Sequence, residues 1–332
     1  MSFNKNFTIE PALNLMLGTA CNKHCSYCMQ PRHGSNGKVD INEFLAKFFI
    51  YTKAHHPNGY KYVEYWGGEP LLYFDAIKSI HLFLKEHKLF ANNSRARIIT
   101  NGSLISDEFV QFCNDNDILV NLSWHDGMLS DDQLIKFLQI NRIYVTSVIT
   151  HTHLSLDSDY AAWSRLCSLG RVIKWQVYPV HCTDNCAESE YLTKKDVDTY
   201  FRHLSTLLSS NEAFYKYILK HLYSTYVEHK AILVEPKCYG NRSLSVDLHG
   251  NRYHCHHIMQ KENIAYNIFN NSCESTSVIR FDKFFNTDKC QHCAHLASCL
   301  GGCYLSNRHD VECYWVHSAY NFCIEHKDVI QS

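Results

Sequence analysis

Cys21, Cys25 and Cys28 stand at C-x3-C-x2-C spacing in Cys21-Asn22-Lys23-His24-Cys25-Ser26-Tyr27-Cys28, just past a short apolar run. Thiolates are the usual ligands of iron–sulfur clusters. Three of them can hold three corners of a cubane and leave its fourth iron open to a substrate or cofactor. The competing chemistry is a zinc knuckle with His24 or His33 as fourth ligand. A second array of thiols fills the last third of the chain. Cys238 precedes Gly250-x4-Cys255, then come Cys290-x2-Cys293-x5-Cys299-x3-Cys303 and finally Cys323. Zinc would account for the Cys290 to Cys303 cluster alone but not for the ensemble, because a structural zinc site needs only four ligands.

Composition narrows the setting. The 332 residues include 16 Cys, which in a secreted protein would suggest disulfides. The polar first eleven residues lack an apolar signal core, and no apolar run is long enough to span a bilayer. Many clustered Cys in a cytoplasmic chain point to metal binding. The net charge of −1 offers no basic field for nucleic acid, and neither a nucleic-acid nor a membrane partner is expected. Most of the 22 His are read as surface or satisfied core residues.

The elements that position these thiols follow from periodicity. Strands are expected at 12–18, 60–66, 96–100, 118–123, 143–150 and 172–180. Helical spacing covers 41–55, 74–87, 107–116 (capped by Ser106), 131–139 and 160–169, with one or two long helices over 194–229. Six strand–helix alternations imply an α/β fold with a parallel sheet and right-handed crossovers. Active sites of β/α barrels assemble on the loops at the C-terminal strand ends. The Cys21 loop follows strand one, Gly67-Gly68-Glu69-Pro70 strand two, Thr100-Asn101-Gly102 strand three, and Ser123 ends strand four. Cys113 and Cys167 fall on apolar helix faces and read as core.

The C-x3-C-x2-C octet with an aromatic before its last Cys resembles the signature of the radical S-adenosylmethionine (SAM) enzymes. The second array resembles their SPASM extension, C-x(9–15)-G-x4-C, a gap, C-x2-C-x5-C-x3-C, a gap and C; every internal spacing fits. The resemblance implies a partial (β/α)6 TIM-like barrel over 1–185, a helical linker at 186–234 and a small cysteine-rich SPASM domain at 235–332. It implies a 4Fe–4S cluster on Cys21, Cys25 and Cys28 that binds SAM, and one or two auxiliary 4Fe–4S clusters. By analogy, Cys290, Cys293, Cys299 and Cys323 complete one auxiliary cluster. Cys238, Cys255 and Cys303 hold the other, its fourth position open; Cys313 competes with Cys323 as the final ligand. Upstream, Cys182 and Cys186 are read as two free thiols on the barrel rim, with a fourth ligand or a thiol relay as alternatives.

The resemblance also supplies roles around SAM. Gly67, Gly68, Glu69 and Pro70 form a GGEP-type segment that holds the methionine amino group, a carboxylate suiting an ammonium. Thr100 and Asn101 belong to a TNG turn near SAM, Ser123 meets the ribose or carboxylate, and Tyr27 lies beside the adenine. Arg32 is a candidate for SAM's carboxylate or an ordinary surface Arg. Peptide-acting relatives show Ser-x-Asp-Gly after strand four, whereas this chain has Ser123-Trp124-His125-Asp126-Gly127, one residue longer. In the sulfatase-maturing branch an Asp follows the Cys matching Cys255. Here that place is His256, an imidazole able to act as base near neutral pH.

The reaction implied is reductive cleavage of SAM to a 5′-deoxyadenosyl radical. That radical takes hydrogen from a peptide or protein side chain, and oxidation or cross-linking follows. An external donor such as flavodoxin or ferredoxin supplies electrons. Twenty residues precede Cys21, too few for an N-terminal peptide-recognition domain. The substrate is therefore expected at the barrel mouth, along the open sheet edge by strand addition, or with a separate recognition protein. The other classes are a radical SAM enzyme acting on a small metabolite and an iron–sulfur electron-transfer or scaffold protein; the GGEP-like and TNG turns argue against the scaffold, which has no need to bind SAM.

Overall fold

A computed structural model describes residues 12–31, 39–125, 129–154, 156–210, 212–228, 243–255, 259, 264–270, 290, 292–295, 299 and 306–331. Six parallel strands run in the order β6-β5-β4-β3-β2-β1. They are β1 (Ala12–Met16), β2 (Tyr60–Trp66), β3 (Phe90–Thr100), β4 (Leu119–Trp124), β5 (Ile143–Ile149) and β6 (Trp175–Pro179). The helices α1 (Ile41–His55), α2 (Phe74–Glu86), α3 (Asp107–Asp115), α4 (Asp131–Leu138) and α5 (Leu156–Ser168) alternate with them. The α/β partial barrel expected from the alternation is therefore the fold. No helix among the described residues is long and apolar enough to cross a membrane.

Local signals explain the helix starts. Asp40 accepts from the backbone N–H groups of Asn42 and Glu43 to cap α1, and Ser106 caps α3 through Phe109 N, as its sequence suggests. Ser130 and Gln133 form a reciprocal capping box at α4. Two boundaries differ most from expectation. β3 begins at Phe90, six residues early, because Phe90 pairs with Tyr60 before a register shift carries Tyr62 onto Arg95. α5 begins at Leu156, whose side chain is buried in the core.

The 194–229 region folds as α6 (Lys194–Leu208) and α7 (Ala213–Tyr223), with a π-helical turn at Ser224–Glu228. α7 packs on β6: Trp175 meets the Phe214 ring at 5.7 Å, and His221 Nε2–H donates to the Val177 carbonyl at 3.0 Å. That bond occupies a carbonyl of β6 and so blunts the edge strand of the barrel. Helix α8 (His309–Glu325) lies across this layer, with Trp315 against Tyr200 and Phe201 of α6 at 5.3 and 5.1 Å; α9 (Lys327–Gln331) follows.

Beyond β1 the sheet does not stop. Strand β7 (Ser243–Asp247) pairs parallel with β1 from Ala12↔Ser243 to Met16↔Asp247. The antiparallel β8 (Asn251–Tyr253) and β9 (Ile264–Asn267) complete one nine-stranded sheet. The C-terminal cysteine region is thus joined to the barrel by backbone pairing. The turn between β7 and β8 is built on buried Asp247, which accepts from His249 N, Asn251 N and the Tyr253 hydroxyl. Gly250 in that turn has φ +84°, and a Cβ there would lie 2.3 Å from the Phe269 ring, which is why a glycine precedes x4-Cys255.

Candidate active site

The Cys21 to Cys28 loop leaves the C-terminal end of β1 and is pressed onto the GGEP turn after β2. Gly68 N donates to the Gly18 carbonyl at 2.7 Å and Glu69 N to the Ala20 carbonyl at 2.9 Å. A Cβ on Gly68 would lie 2.3 Å from the Ala20 carbonyl and 2.6 Å from that of Thr19, so only glycine admits this approach. Pro70 opens the 3-10 turn Pro70–Tyr73, with Glu69 as its cap. The Tyr73 hydroxyl accepts from Ala20 N at 3.3 Å and braces the loop entry.

Glu69 turns its carboxylate inward. Oε1 accepts from Leu71 N at 3.0 Å and from the Thr100 hydroxyl at 2.6 Å, and Oε2 accepts from Asn101 N at 2.8 Å. The residue is 1% exposed, and burial raises its pKa even though these three donors pull it down. The carboxylate thus ties the GGEP turn to the TNG turn. Among the described residues, the carbonyls of Gly67 and Gly68 are left without a hydrogen-bond partner. Asn101 extends the tie: its Nδ2 donates to Asn22 Oδ1 at 2.9 Å, and Asn22 Nδ2 donates to Ser103 Oγ at 2.8 Å.

The three thiols are presented on this braced loop. Cys28 N donates to the Cys25 carbonyl at 3.1 Å, a turn that brings the last two together. Cys21 is exposed and Cys25 and Cys28 are half-buried, whereas Cys113 lies in the core as expected and Cys167 only partly so. Partial desolvation of its thiol, then the charges of Glu69 and Cys25, raise the Cys21 pKa; the Lys23 backbone N–H opposes this. Metal ligation would expel that proton. Three thiols on one loop, outside the apolar core, carry the donor set of a cluster with an open corner; among the described residues no three metal-ligating side chains are gathered as around a bound ion.

On the other side of the loop, burial and then the neighbouring Cys25 thiol push the Tyr27 hydroxyl pKa far up. Its ring lies 5.3 Å from that of His125, which follows β4. Ser123, half-buried near the end of β4, pairs with Thr146. Sequence reasoning missed three contributors here: Asn22, Ser26 and Glu190. The Ser26 hydroxyl donates to Glu190 Oε1 at 2.5 Å, and the loop that carries Glu190 returns with Ala187 N donating to the Ser26 carbonyl at 2.8 Å. Nothing in the Glu188-Ser189-Glu190 sequence marks this; only the polar types between the cysteines were visible.

Cys182 and Cys186, read as thiols on the barrel rim, lie just before this loop. Both are buried, at 2% and 4% exposure, and burial pushes the Cys182 thiol up to about 11. The Cys182 carbonyl accepts from Asn307 N at 2.6 Å, and Asn185 Nδ2 donates to the Met29 carbonyl at 2.9 Å. The loop is therefore wedged between the Cys21 loop and the segment before α8. A second bridge joins Gln30 Oε1 to Met259 N at 3.1 Å, close to buried Cys255.

In the second array, Cys323 is buried on α8, exposed Cys313 lies on the same helix, and Cys290, Cys293 and Cys299 are half-buried. Cys293 Sγ lies 3.5 Å from His317 Nε2 of α8, and the His295 ring is 4.2 Å from that of His317. These contacts bring Cys293 to the helix that bears Cys323. Arg32, His33, Asp126, Gly127, Cys238, His256 and Cys303 lie outside the described residues.

Comparison with known proteins agrees with this geometry. Residues 15–127 match the sequence model of the Radical SAM superfamily. The fold is similar to that of native anSMEcpe with bound AdoMet and Kp18Cys peptide (18% identity, TM-score 0.67, 97% of this chain and 99% of that one). It is also similar to Streptococcus suis SuiB bound to precursor peptide SuiA (19% identity, TM-score 0.58, 90% of this chain and 72% of that one). No curated protein matches the chain by sequence. The superfamily match starts in β1 and runs past β4 on this barrel, so residues 15–127 read as a radical SAM domain, the kind that works with a 4Fe–4S cluster and S-adenosylmethionine.

Proposed function

We propose that the protein oxidises or cross-links a side chain of a peptide or protein, as a post-translational maturase. The observation that carries this reading is that two structures of the same fold, at 97% and 90% coverage of this chain, hold a peptide. When bound, the cluster and SAM supply a 5′-deoxyadenosyl radical that takes a hydrogen atom from a substrate carbon. Cys21, Cys25 and Cys28 hold the cluster. The carbonyls of Gly67 and Gly68 receive the methionine ammonium, which needs acceptors in a place the Glu69 carboxylate and Pro70 keep fixed. Thr100 and Asn101 hold that carboxylate, Tyr27 supplies an aromatic face for the adenine, and Ser123 offers a hydroxyl to the ribose or carboxylate.

The C-terminal array carries the remaining electron. Cys290, Cys293, Cys299 and Cys323 form one auxiliary site, and Cys238, Cys255 and Cys303 the other. His256, next to Cys255, takes the proton that leaves with oxidation. Electrons enter from a flavodoxin- or ferredoxin-type donor, and the enzyme works in the cytoplasm. With the β6 edge blunted, the substrate docks at the barrel mouth, alone or with a separate recognition protein. The test is the intact mass of any short peptide encoded beside the gene, co-expressed without oxygen. Loss of two hydrogens that requires Cys21, Cys25 and Cys28 supports the reading. An unmodified peptide alongside active SAM cleavage overturns it in favour of another substrate.

A further inference from the structure

The geometry points to Glu190 as a positioning residue that fixes the Cys21 to Cys28 loop and sets the charge beside the cluster it holds. This rests on the reading that those three cysteines bind that cluster. Glu190 lies in the 3-10 turn Glu188–Glu190, after β6, and is 6% exposed. Its Oε1 accepts from Ser26, the residue directly after Cys25, and its Oε2 accepts from the Thr152 hydroxyl at 2.5 Å. Its carbonyl accepts from His151 N at 3.1 Å. One carboxylate thus clamps the middle of the cysteine loop to the segment that follows β5.

The carboxylate is held ionised. Burial opposes the charge, but the hydroxyls of Ser26, Thr152 and Thr150, and then nearby His125, outweigh it and lower the pKa. A fixed negative charge one hydroxyl away from the ligand loop, screened little by solvent, disfavours adding an electron there. The hydrogen bonds also hold Ser26 between Cys25 and Cys28, which are half-buried and outside the apolar core. A residue with this role lowers the cluster's reduction potential without touching SAM or substrate.

Glu190→Gln keeps the shape and can still accept from Ser26, but removes the charge. The experiment is a redox titration of the full-length reconstituted enzyme, following the electron-paramagnetic resonance signal that changes when SAM is added. The expected shift is about tenfold in the one-electron reduction equilibrium, ~59 mV, toward easier reduction. Glu190→Asp should keep the wild-type midpoint. An unchanged midpoint in Glu190→Gln overturns the inference while leaving the cluster assignment intact. If Glu190→Gln does not load iron at the first site, Glu190→Asp decides. Loading with the wild-type midpoint supports the role, and failure to load overturns it. A wild-type enzyme with no SAM-responsive signal overturns the cluster assignment itself.

Discussion

The two cysteine regions are held in opposite ways. The Cys21 to Cys28 loop has no secondary structure of its own and is braced by polar side chains from several strand ends: Glu69 and Asn101 on one flank, Glu190 on the other. The second array leans on a helix. Cys323 is buried on α8, which is anchored to α6 through Trp315 and Phe322 against Phe201. Polar bracing fixes a loop while leaving its thiols open to small molecules; the apolar helix buries Cys323, while Cys290, Cys293 and Cys299 stay half-buried. The first arrangement suits a site that small molecules must enter, and the second suits a group held partly inside the protein.

The sharpest way to break this contrast is to empty each region in turn. Replacing Cys21, Cys25 and Cys28 together by Ala should abolish SAM cleavage to background while iron remains at the C-terminal sites. Cys290→Ala should do the reverse, leaving abortive 5′-deoxyadenosine release and no product. If the triple variant still cleaves SAM, or Cys290→Ala still forms product, the division of labour is wrong. Iron analysis alongside a chromatographic assay of 5′-deoxyadenosine reads both.

A smaller effect tests the bracing. Glu69→Ala removes the acceptor for the Thr100 hydroxyl and Asn101 N, so the two turns lose their link. SAM should bind about tenfold more weakly, the scale of one hydrogen bond to a charged group, with iron content unchanged. Calorimetry showing wild-type affinity would mean that the backbone contacts of Gly68 and Glu69 hold the turn by themselves.

A further test concerns the shared support. Burial, with Lys85 adding, lowers His81 to about 4, and burial lowers His221 to about 4. His81 Nδ1 lies 3.0 Å from the Tyr65 hydroxyl beneath the first region, and His221 ties α7 to β6 beneath the second. Unfolded, both would titrate near 6.5. Their contribution is therefore intact above about pH 6.5 and is lost as pH falls toward 4, by up to ~1.4 kcal/mol per pH unit for each histidine. Denaturant melts should flatten over that interval when His81 is replaced by Phe. A slope unchanged by that replacement would show that His81 is protonated in the folded state.

The barrel was legible because β/α periodicity is local. Asp40, Ser106 and Ser130 announce helices within three residues of where they act. The GGEP and TNG turns were legible because close approach and capping demand particular residue types. What escaped was long-range. Ser26 and Glu190 are 164 residues apart, and neither type is unusual in its own segment. The early start of β3 was hidden because Asn92, Asn93 and Ser94 are weak strand formers, and the pairing with β2 skips them, running from Phe90 opposite Tyr60 to Arg95 opposite Tyr62. Cys182 and Cys186 looked like rim thiols because a loop sequence does not reveal that a second loop and the segment before α8 cover it.

The pairing of β1 with β7 also dictates a timetable for synthesis. β1 is the first of the described strands in chain order, and its neighbour on one side is residues 243–247. Until those residues emerge, the fully apolar Leu13, Leu15 and Met16 belong to an unpaired edge that any other strand could join. The loop bearing Cys21, Cys25 and Cys28 hangs from that same strand, and its braces reach as far along the chain as Glu190. A chain cut short before β7 would keep those braces and still expose a sticky edge along β1.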